Sequence, residues 1–525
     1  MQPLSTVPIQ PAAARPTNDP VRVVVGLLLM VPAVIGLLIG QVWPTLRTGW
    51  LSLRDETFLS TGGGDFVGFE NYSEAVNRQS AEGFLFGLTL PLLPLVAVLV
   101  VGPLLAYAAH RAGTGGRWTS RLVLAVPMVC FAPAALAAGW AFERGIGEPD
   151  SRVALWLTTF GLLAGVGVTV FLAVLRGREP GRSGWPAGLV VGSVAGVATI
   201  AVGLQAFAYP IMLGGITAPV PQLYRLGFVV AQLGPAAAQS MLLLVLLLLL
   251  GVGATLLVVF SQLRLTVEPT PTRAPVSALA AVGTGLGLLV LLAVTGYGLW
   301  PWLTRLGDLD PAFGPSAATV IVNTWLPPLI STVVGVGLAA MAGFGIGALR
   351  PLGRWSELLL LLFAPWLFVG IGPLALAKYQ AAADGLFGDR IGTFLGLIPP
   401  IWVVVPALFV FTLLGKGLAD RRRHPDGRPD YPGMLVAALP MVAVLAGATW
   451  LIQSQSLLWG LLTARDSDTV TGPVLAVQQG SRLIAEASGL GLVLPIPAII
   501  VFAVGLAVLQ IFYLDRLAIR TGRPD

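Results

Sequence analysis

Long apolar runs alternate with short polar connections along almost the whole chain. A helix needs about 20 apolar residues to cross a bilayer. Twelve stretches qualify, near residues 22–44, 84–109, 120–142, 153–175, 186–210, 236–262, 277–301, 317–348, 356–378, 391–414, 432–452 and 490–514. The pattern predicts an all-α, polytopic membrane protein whose main environment is the lipid bilayer.

The connections alternate in charge. One set holds Arg111, Arg117 and Arg121, then Arg176, Arg178 and Arg182, then Arg264 and Arg273, then Arg350 and Arg354, then Lys416 with Arg421, Arg422 and Arg423. Arg15, Arg22, Arg516, Arg520 and Arg523 put both ends of the chain in this set. The other set carries acids: Asp55, Glu56, Asp65, Glu70, Glu74, Glu148, Asp150, Asp308, Asp310, Asp466 and Asp468. Lys and Arg are enriched in cytoplasmic loops, so both termini are expected to be cytoplasmic.

Composition supports the membrane reading. Of 525 residues, 56% are hydrophobic and 11% charged, with a mean hydropathy of +0.84. A soluble domain carries about 25% charged residues, so a soluble enzyme is excluded. The net charge of +6 sits in short clusters between apolar runs, as topology requires, and does not indicate nucleic-acid binding. Cys130, inside an apolar run, reads as a small buried hydrophobe. His110 and His424 lie far apart, and there is no Gly-rich phosphate loop, so no metal site or cofactor is expected. Residues 1–20, rich in Pro and Ala, read as a disordered tail. The apolar run that follows lacks a small-residue cleavage site and reads as a retained span.

A proline-rich linker, residues 266–276, includes Glu-Pro-Thr-Pro-Thr-Arg-Ala-Pro from Glu268 to Pro275. It divides the spans six and six, into halves 21–265 and 277–525. Two halves of similar design are therefore expected in one chain.

Ionisable groups inside a bilayer are costly and mark function. No Asp or Glu falls in the middle of a predicted span, which argues against a proton-coupled carrier. Energy is then expected to come from outside the membrane portion. His110 and Lys378 lie at span ends, where snorkelling to the interface is expected. The mid-span polar residues are Gln205, Asn323, Thr324, Trp450 and Gln453. They either line a path for a polar solute or hydrogen-bond between helices. Gly343 and Gly347 have the spacing of close helix packing.

Several stretches resemble the permease subunits of bacterial ABC importers of the maltose-type, carbohydrate-uptake family. Phe66-Val67-Gly68-Phe69-Glu70-Asn71-Tyr72 is similar to the Phe-Val-Gly-Leu-x-Asn-Tyr element of MalF-type subunits, and Arg121 to Trp140, with Pro127 between, follows their third span. Phe207 to Gly215, with Thr217 and Pro219, is similar to a later stretch at altered spacing. The second half resembles the MalG-type partner through Asn323-Thr324, Tyr379 with Gly385-Leu386 and Asp389 to Thr393, and the closing span from Leu494-Pro495 to Asp515-Arg516. The shared order of these elements, from about Val23 to Gly522, carries the resemblance.

The resemblance implies two fused six-helix permease halves in a bacterial cytoplasmic membrane. Separate ATP-binding cassette subunits would drive them from the cytoplasmic side, with an extracytoplasmic solute-binding protein outside. It implies a path for a sugar or related polar solute between the halves, lined by Gln205, Phe207, Asn323, Trp450 and Gln453. The loop from Asp55 to Glu82 would face the binding protein. The chain departs from the family at the Glu-Ala-Ala coupling motif that docks on the ATPase. Leu439-Pro440 stands at the family's distance from Asp426-Gly427, but Arg421, Arg422 and Arg423 occupy the Glu-Ala-Ala positions. The first-half loop with Arg176, Arg178 and Arg182 has no equivalent motif. A positive loop cannot make the same charge contacts, so a non-transporting, permease-derived subunit of a larger complex is an open alternative. Gly417-Leu418-Ala419-Asp420-Arg421-Arg422 is also similar to a loop of major facilitator carriers, where it follows the second or eighth span rather than the tenth. A secondary carrier is the third reading.

Overall fold

The computed structural model describes residues 20–57, 64–144, 148–178, 185–214, 218–268, 276–307, 315–385, 388–422, 429–480 and 489–522. Among these, nine helices are long and apolar enough to cross a bilayer. They are α1 (Pro20–Leu51), α2 (Arg78–Arg111), α5 (Asp150–Arg176), α6 (Pro186–Leu213), α7 (Leu233–Phe260), α8 (Ala278–Leu303), α9 (Ala317–Leu349), α12 (Tyr431–Ser454) and α13 (Leu490–Arg516). A tenth passes as a bent pair, α3 (Gly113–Val129) and α4 (Pro133–Glu143), which meet at 76°. Pro133 cannot continue the hydrogen-bond ladder of α3, and Cys130, buried as expected, sits at the corner. The chain is mostly helical and multi-pass in character, with little sheet.

Two further expected spans are not single helices. Residues 356–378 fold as a 3₁₀ stretch over Gly353–Leu362, short turns at Ala364–Trp366 and Gly372–Leu374, and α10 (Ala375–Ala383). Residues 391–414 run without helix as far as Val404 and continue as α11 (Val405–Arg421). The cause is proline: Pro365, Pro373, Pro399, Pro400 and Pro406 each remove a backbone donor from a run that hydropathy alone reads as continuous. The 353–383 segment starts beside the first turn of α1, where Arg22 donates to the Leu349 carbonyl, and ends beside its last, where Arg47 donates to Gln380 at 3.3 Å.

Packing partners recur between the halves. α2 packs on α5 and α6, and α9 packs on α11 and α12. α1 leaves the first half to lie on α9; α8 leaves the second half to lie on α2 and α5. α7 packs on the 353–366 stretch, as α13 packs on α3. The tightest contacts use glycine. A Cβ at Gly102 would lie 2.8 Å from the Gly167 Cα, and one at Gly347 would lie 2.1 Å from the Thr412 carbonyl oxygen. The Gly343–Gly347 pair thus lets α9 and α11 meet at backbone distance.

Two short antiparallel sheets close the ends. β1 (Arg54–Asp55) pairs with β2 (Asp65–Phe66) after α1. β3 (Arg264–Val267) pairs with β4 (Leu517–Arg520), joining the end of the first half to the end of the second. The Phe66–Tyr72 element has a local explanation in this geometry. Gly68 adopts φ +62°, and the buried Asn71 Nδ2 donates to the Ser52 and Arg54 carbonyls at 3.1 and 2.9 Å. Ser52 caps the end of α1 and Arg54 lies in β1, so Asn71 ties the helix end to the sheet, and Tyr72 adds a hydroxyl contact with Ser52 at 2.8 Å.

Candidate functional site

The expected path residues fall into separate places. Gln205 lies where α6 is interrupted, and its amide is fully used. Nε2 donates to the Phe368 carbonyl at 2.8 Å and the Ala201 carbonyl at 2.9 Å, and Oε1 accepts from the Gly370 N–H at 2.8 Å. Gln205 therefore satisfies the backbone of the broken 353–383 segment and joins the halves. Phe207 begins an aromatic ladder through Tyr224 (5.5 Å, edge-on), Phe228 and Tyr379 that also crosses between halves.

In the second half, Asn323 donates to the Asp468 and Val470 carbonyls at 2.8 and 3.2 Å, and Thr324 accepts from the Gly472 N–H at 2.9 Å. Trp450 donates to the Trp325 carbonyl and packs edge-on against Trp325 and Phe502. Gln453 is buried, and neither of its amide atoms has a partner within the protein. Asn323 and Gln453 share a cavity with Ser456, Trp459, Thr463 and Thr471, which has room for a water molecule. The Thr471 hydroxyl there is also unpartnered. Of the five residues, the structure brings together only this pair. The cavity is neutral: its polar atoms are amides and hydroxyls.

Lys378 departs from expectation. It does not snorkel: 3% of it is exposed, and Nζ donates to the Pro400 carbonyl at 2.9 Å. The break at Pro399-Pro400 supplies a free carbonyl where a continuous helix would not. His110 does not simply snorkel either; it lines a cavity with Arg117, Arg121, Arg176 and Asp515.

The basic connections converge at one end of the helices, and three acids draw them together. Asp420 meets Arg350 at 2.7 Å and Arg264 at 3.8 Å. Glu268 meets Arg421 at 2.8 Å and Arg520 at 3.0 Å. Asp515 meets Arg117, Arg121 and Arg176 at 3.5, 3.3 and 3.7 Å. Partial burial acts to raise the Glu268 pKa, but the hydrogen bonds and charges of Arg421 and Arg520 outweigh it and hold the carboxyl below its ordinary value. Arg350 ends α9 in a left-handed conformation, φ +49°, which costs a non-glycine residue about 1–2 kcal/mol. Its ion pair with Asp420 and its bond to the Lys416 carbonyl hold it there.

Three of the expected ATPase-coupling residues are thus engaged within the chain. Arg176 bonds the Asp515 backbone and side chain, and Arg421 bonds Glu268. Arg422 is exposed and donates to the Gly433 carbonyl; Arg178 is exposed at the end of α5. Arg182, Arg423, Asp426 and Gly427 lie outside the described residues. The missed residues, Glu268, Asp420 and Asp515, carried a signal: they are acids on the basic side of the charge pattern. Among the described residues no cluster of His, Cys, Asp and Glu is arranged to hold a metal.

No protein-family model and no curated protein matches the chain.

Proposed function

We propose that the chain is the membrane permease of an ABC importer, with two six-crossing halves fused and the broken segments 353–383 and 388–421 serving as the remaining crossings. In this reading the halves form the path for a sugar or related polar solute. ATP-binding cassette subunits act at the basic, cytoplasmic end, and an extracytoplasmic solute-binding protein acts at the other. The observation that carries it is the recurrence of packing partners, including the exchange of α1 and α8 between halves. Such an exchange is expected of a fused pair built on one plan. The neutral cavity at Asn323 and Gln453 suits hydroxyl groups, which amides both donate to and accept from.

A second reading has its own support. The connections at 177–184 and 422–430 are short, and Arg176 and Arg421 are tied to Asp515 and Glu268. A subunit that no longer couples to an ATPase, retained as a structural part of a membrane complex, needs no projecting loop there. The two separate in one experiment: purification of the tagged chain from gently solubilised membranes, with an ATPase assay and mass spectrometry of what accompanies it. An ATP-binding subunit that is lost when Arg421, Arg422 and Arg423 are changed to Glu supports the importer. A stable assembly without ATPase activity overturns it.

A further inference from the structure

We infer that Gln453 and Thr471 form a binding site for one uncharged hydroxyl group, supplied by a resident water molecule or by a polyol solute. The site lies in the cavity between α9, α12 and the helix Leu457–Thr463. Gln453 occupies the last turn of α12, and Thr471 stands just before the helix Gly472–Gly480. The two residues are 5 and 8% exposed. Neither amide atom of Gln453 has a partner within the protein, and the Thr471 hydroxyl has none. Buried polar groups in that state are costly, so a guest is expected to complete them.

The neighbouring polar groups are already spent. Asn323 Nδ2 gives its two bonds to the Asp468 and Val470 carbonyls, which holds the chain just before Thr471 in place. Thr324 donates to the Val320 carbonyl at 2.6 Å and accepts from the Gly472 N–H. Thr463 donates to the Trp459 carbonyl at 2.8 Å, and Trp459 Nε1 donates to the Gly396 carbonyl at 3.1 Å. Among the described residues around the cavity, Gln453 and Thr471 hold the buried polar atoms that lack a partner. Those atoms select the guest. The amide presents both a donor and an acceptor, and a hydroxyl group answers both. A metal cation would answer only the oxygens and an anion only the donors, and no charged side chain lines the described cavity. The cavity measures about 20 Å³, which admits one hydroxyl or water and not a whole sugar ring. Gly460 makes this room: a Cβ there would lie 2.9 Å from the Thr471 Oγ1 and 3.0 Å from the Val474 Cγ2. The site deepens the importer reading, on which the polyol guest rests; the water guest stands without it.

Radiolytic footprinting with mass spectrometry reads the site. Radicals formed from a bound water oxidise the side chains beside it, and Trp459, only 3% exposed, lines the cavity. The full chain in phosphatidylcholine nanodiscs receives an X-ray pulse in sodium-free buffer, then with sodium or with glycerol added. The exposed Phe69 reports bulk radicals, and Trp140, equally buried and outside the cavity wall, reports background. Oxidation of Trp459 is expected above that background in the wild type. Gln453→Leu and Thr471→Val each reduce it to background. If Gln453→Leu does not fold, Thr471→Val and Gly460→Ala carry the same comparison. Glycerol that lowers Trp459 oxidation relative to Phe69 assigns the site to a solute hydroxyl that displaces the water. Oxidation that glycerol leaves unchanged assigns it to the resident water. Trp459 at background in the wild type, oxidation that persists in the variants, or selective loss on adding sodium overturns the site. Purification without an ATP-binding subunit overturns the importer and leaves the footprinting result untouched.

Discussion

Replacing Gln205 with alanine tests whether one amide holds the broken segment in place. The substitution removes two bonds to that segment, at 2.8 Å from Phe368 and 2.8 Å from Gly370, besides the bond to Ala201 within its own helix. Side-chain hydrogen bonds between membrane helices contribute about 0.6–2 kcal/mol each, so Gln205→Ala should cost about 1–4 kcal/mol. Gly370 supplies the matching perturbation, because a Cβ there would lie 3.0 Å from the Gln205 Oε1. Gly370→Ala should push that oxygen away and weaken the same contacts. In the Gln205→Ala background the oxygen is gone, and the alanine should be tolerated. The double variant should therefore be more stable than the sum of the single effects by at least about 0.5 kcal/mol. Unfolding in mixed micelles of rising dodecyl sulfate content, followed by tryptophan fluorescence, gives the four free energies. Strict additivity would refute the contact as the source of the effect. A cost below about 0.5 kcal/mol for Gln205→Ala would refute its role as a fastener between halves.

Four further variants have expected outcomes. Gly347→Ala should destabilise by about 1–3 kcal/mol because its Cβ meets the Thr412 carbonyl oxygen at 2.1 Å. Gly296→Ala, with nothing within 4 Å, should be neutral or gain up to about 1 kcal/mol, and the same micelle titration reads both. Glu268→Gln should cost about 1–2 kcal/mol and speed amide exchange across β3. Because the Glu268 pKa is lowered in the fold, its contribution is complete above the ordinary glutamate range and is lost as pH falls through the folded value. After correction for the intrinsic exchange rate, protection of the β3 amides should fall in acid in the wild type, and Glu268→Gln should remove that pH dependence. Gln453→Leu should leave stability unchanged or raise it by about 1 kcal/mol, because the amide has no protein partner to lose. Uptake by reconstituted vesicles should fall in the same variant; unchanged uptake would remove the Asn323–Gln453 cavity from the solute path.

The nine long helices were legible because run length is a direct requirement of the bilayer. The segments at 356–378 and 391–414 were misread for an equally physical reason. Hydropathy counts apolar atoms, whereas a helix also needs an unbroken series of backbone donors, and Pro365, Pro373, Pro399 and Pro400 interrupt it. A single fact about Gln205, that it is polar and mid-span, fitted two roles. The distances to Phe368 and Gly370 show that it joins segments of the two halves. Asn323 and Gln453 were placed together only by the fold, since α9 and α12 are distant in sequence. Lys378 was misassigned because proximity to a span end does not reveal the acceptor that Pro400 presents from another segment.

The distribution of fasteners between the halves is uneven, and this sets which end resists opening. At the basic end, two of the three acids, Asp420 and Asp515, bridge the halves, and the third ties the linker to the second half. Asp420 of the second half meets Arg264 of the first, and Asp515 of the second half meets Arg117, Arg121 and Arg176 of the first. Glu268 of the linker meets Arg421 and Arg520, while β3 pairs with β4. Away from that end the contacts between the halves include the Gln205 amide, the ladder from Phe207 to Tyr379 and the hydrogen bonds of Gln380 with Arg47 and Glu56, rather than a buried ion cluster. Separating a buried ion cluster leaves charges without partners, which costs more than parting aromatic rings or neutral amides. In the importer proposed above, the larger barrier to opening would lie at the basic end, where the proposed ATPase would act. The same ion pairs would have to be broken and remade in every cycle.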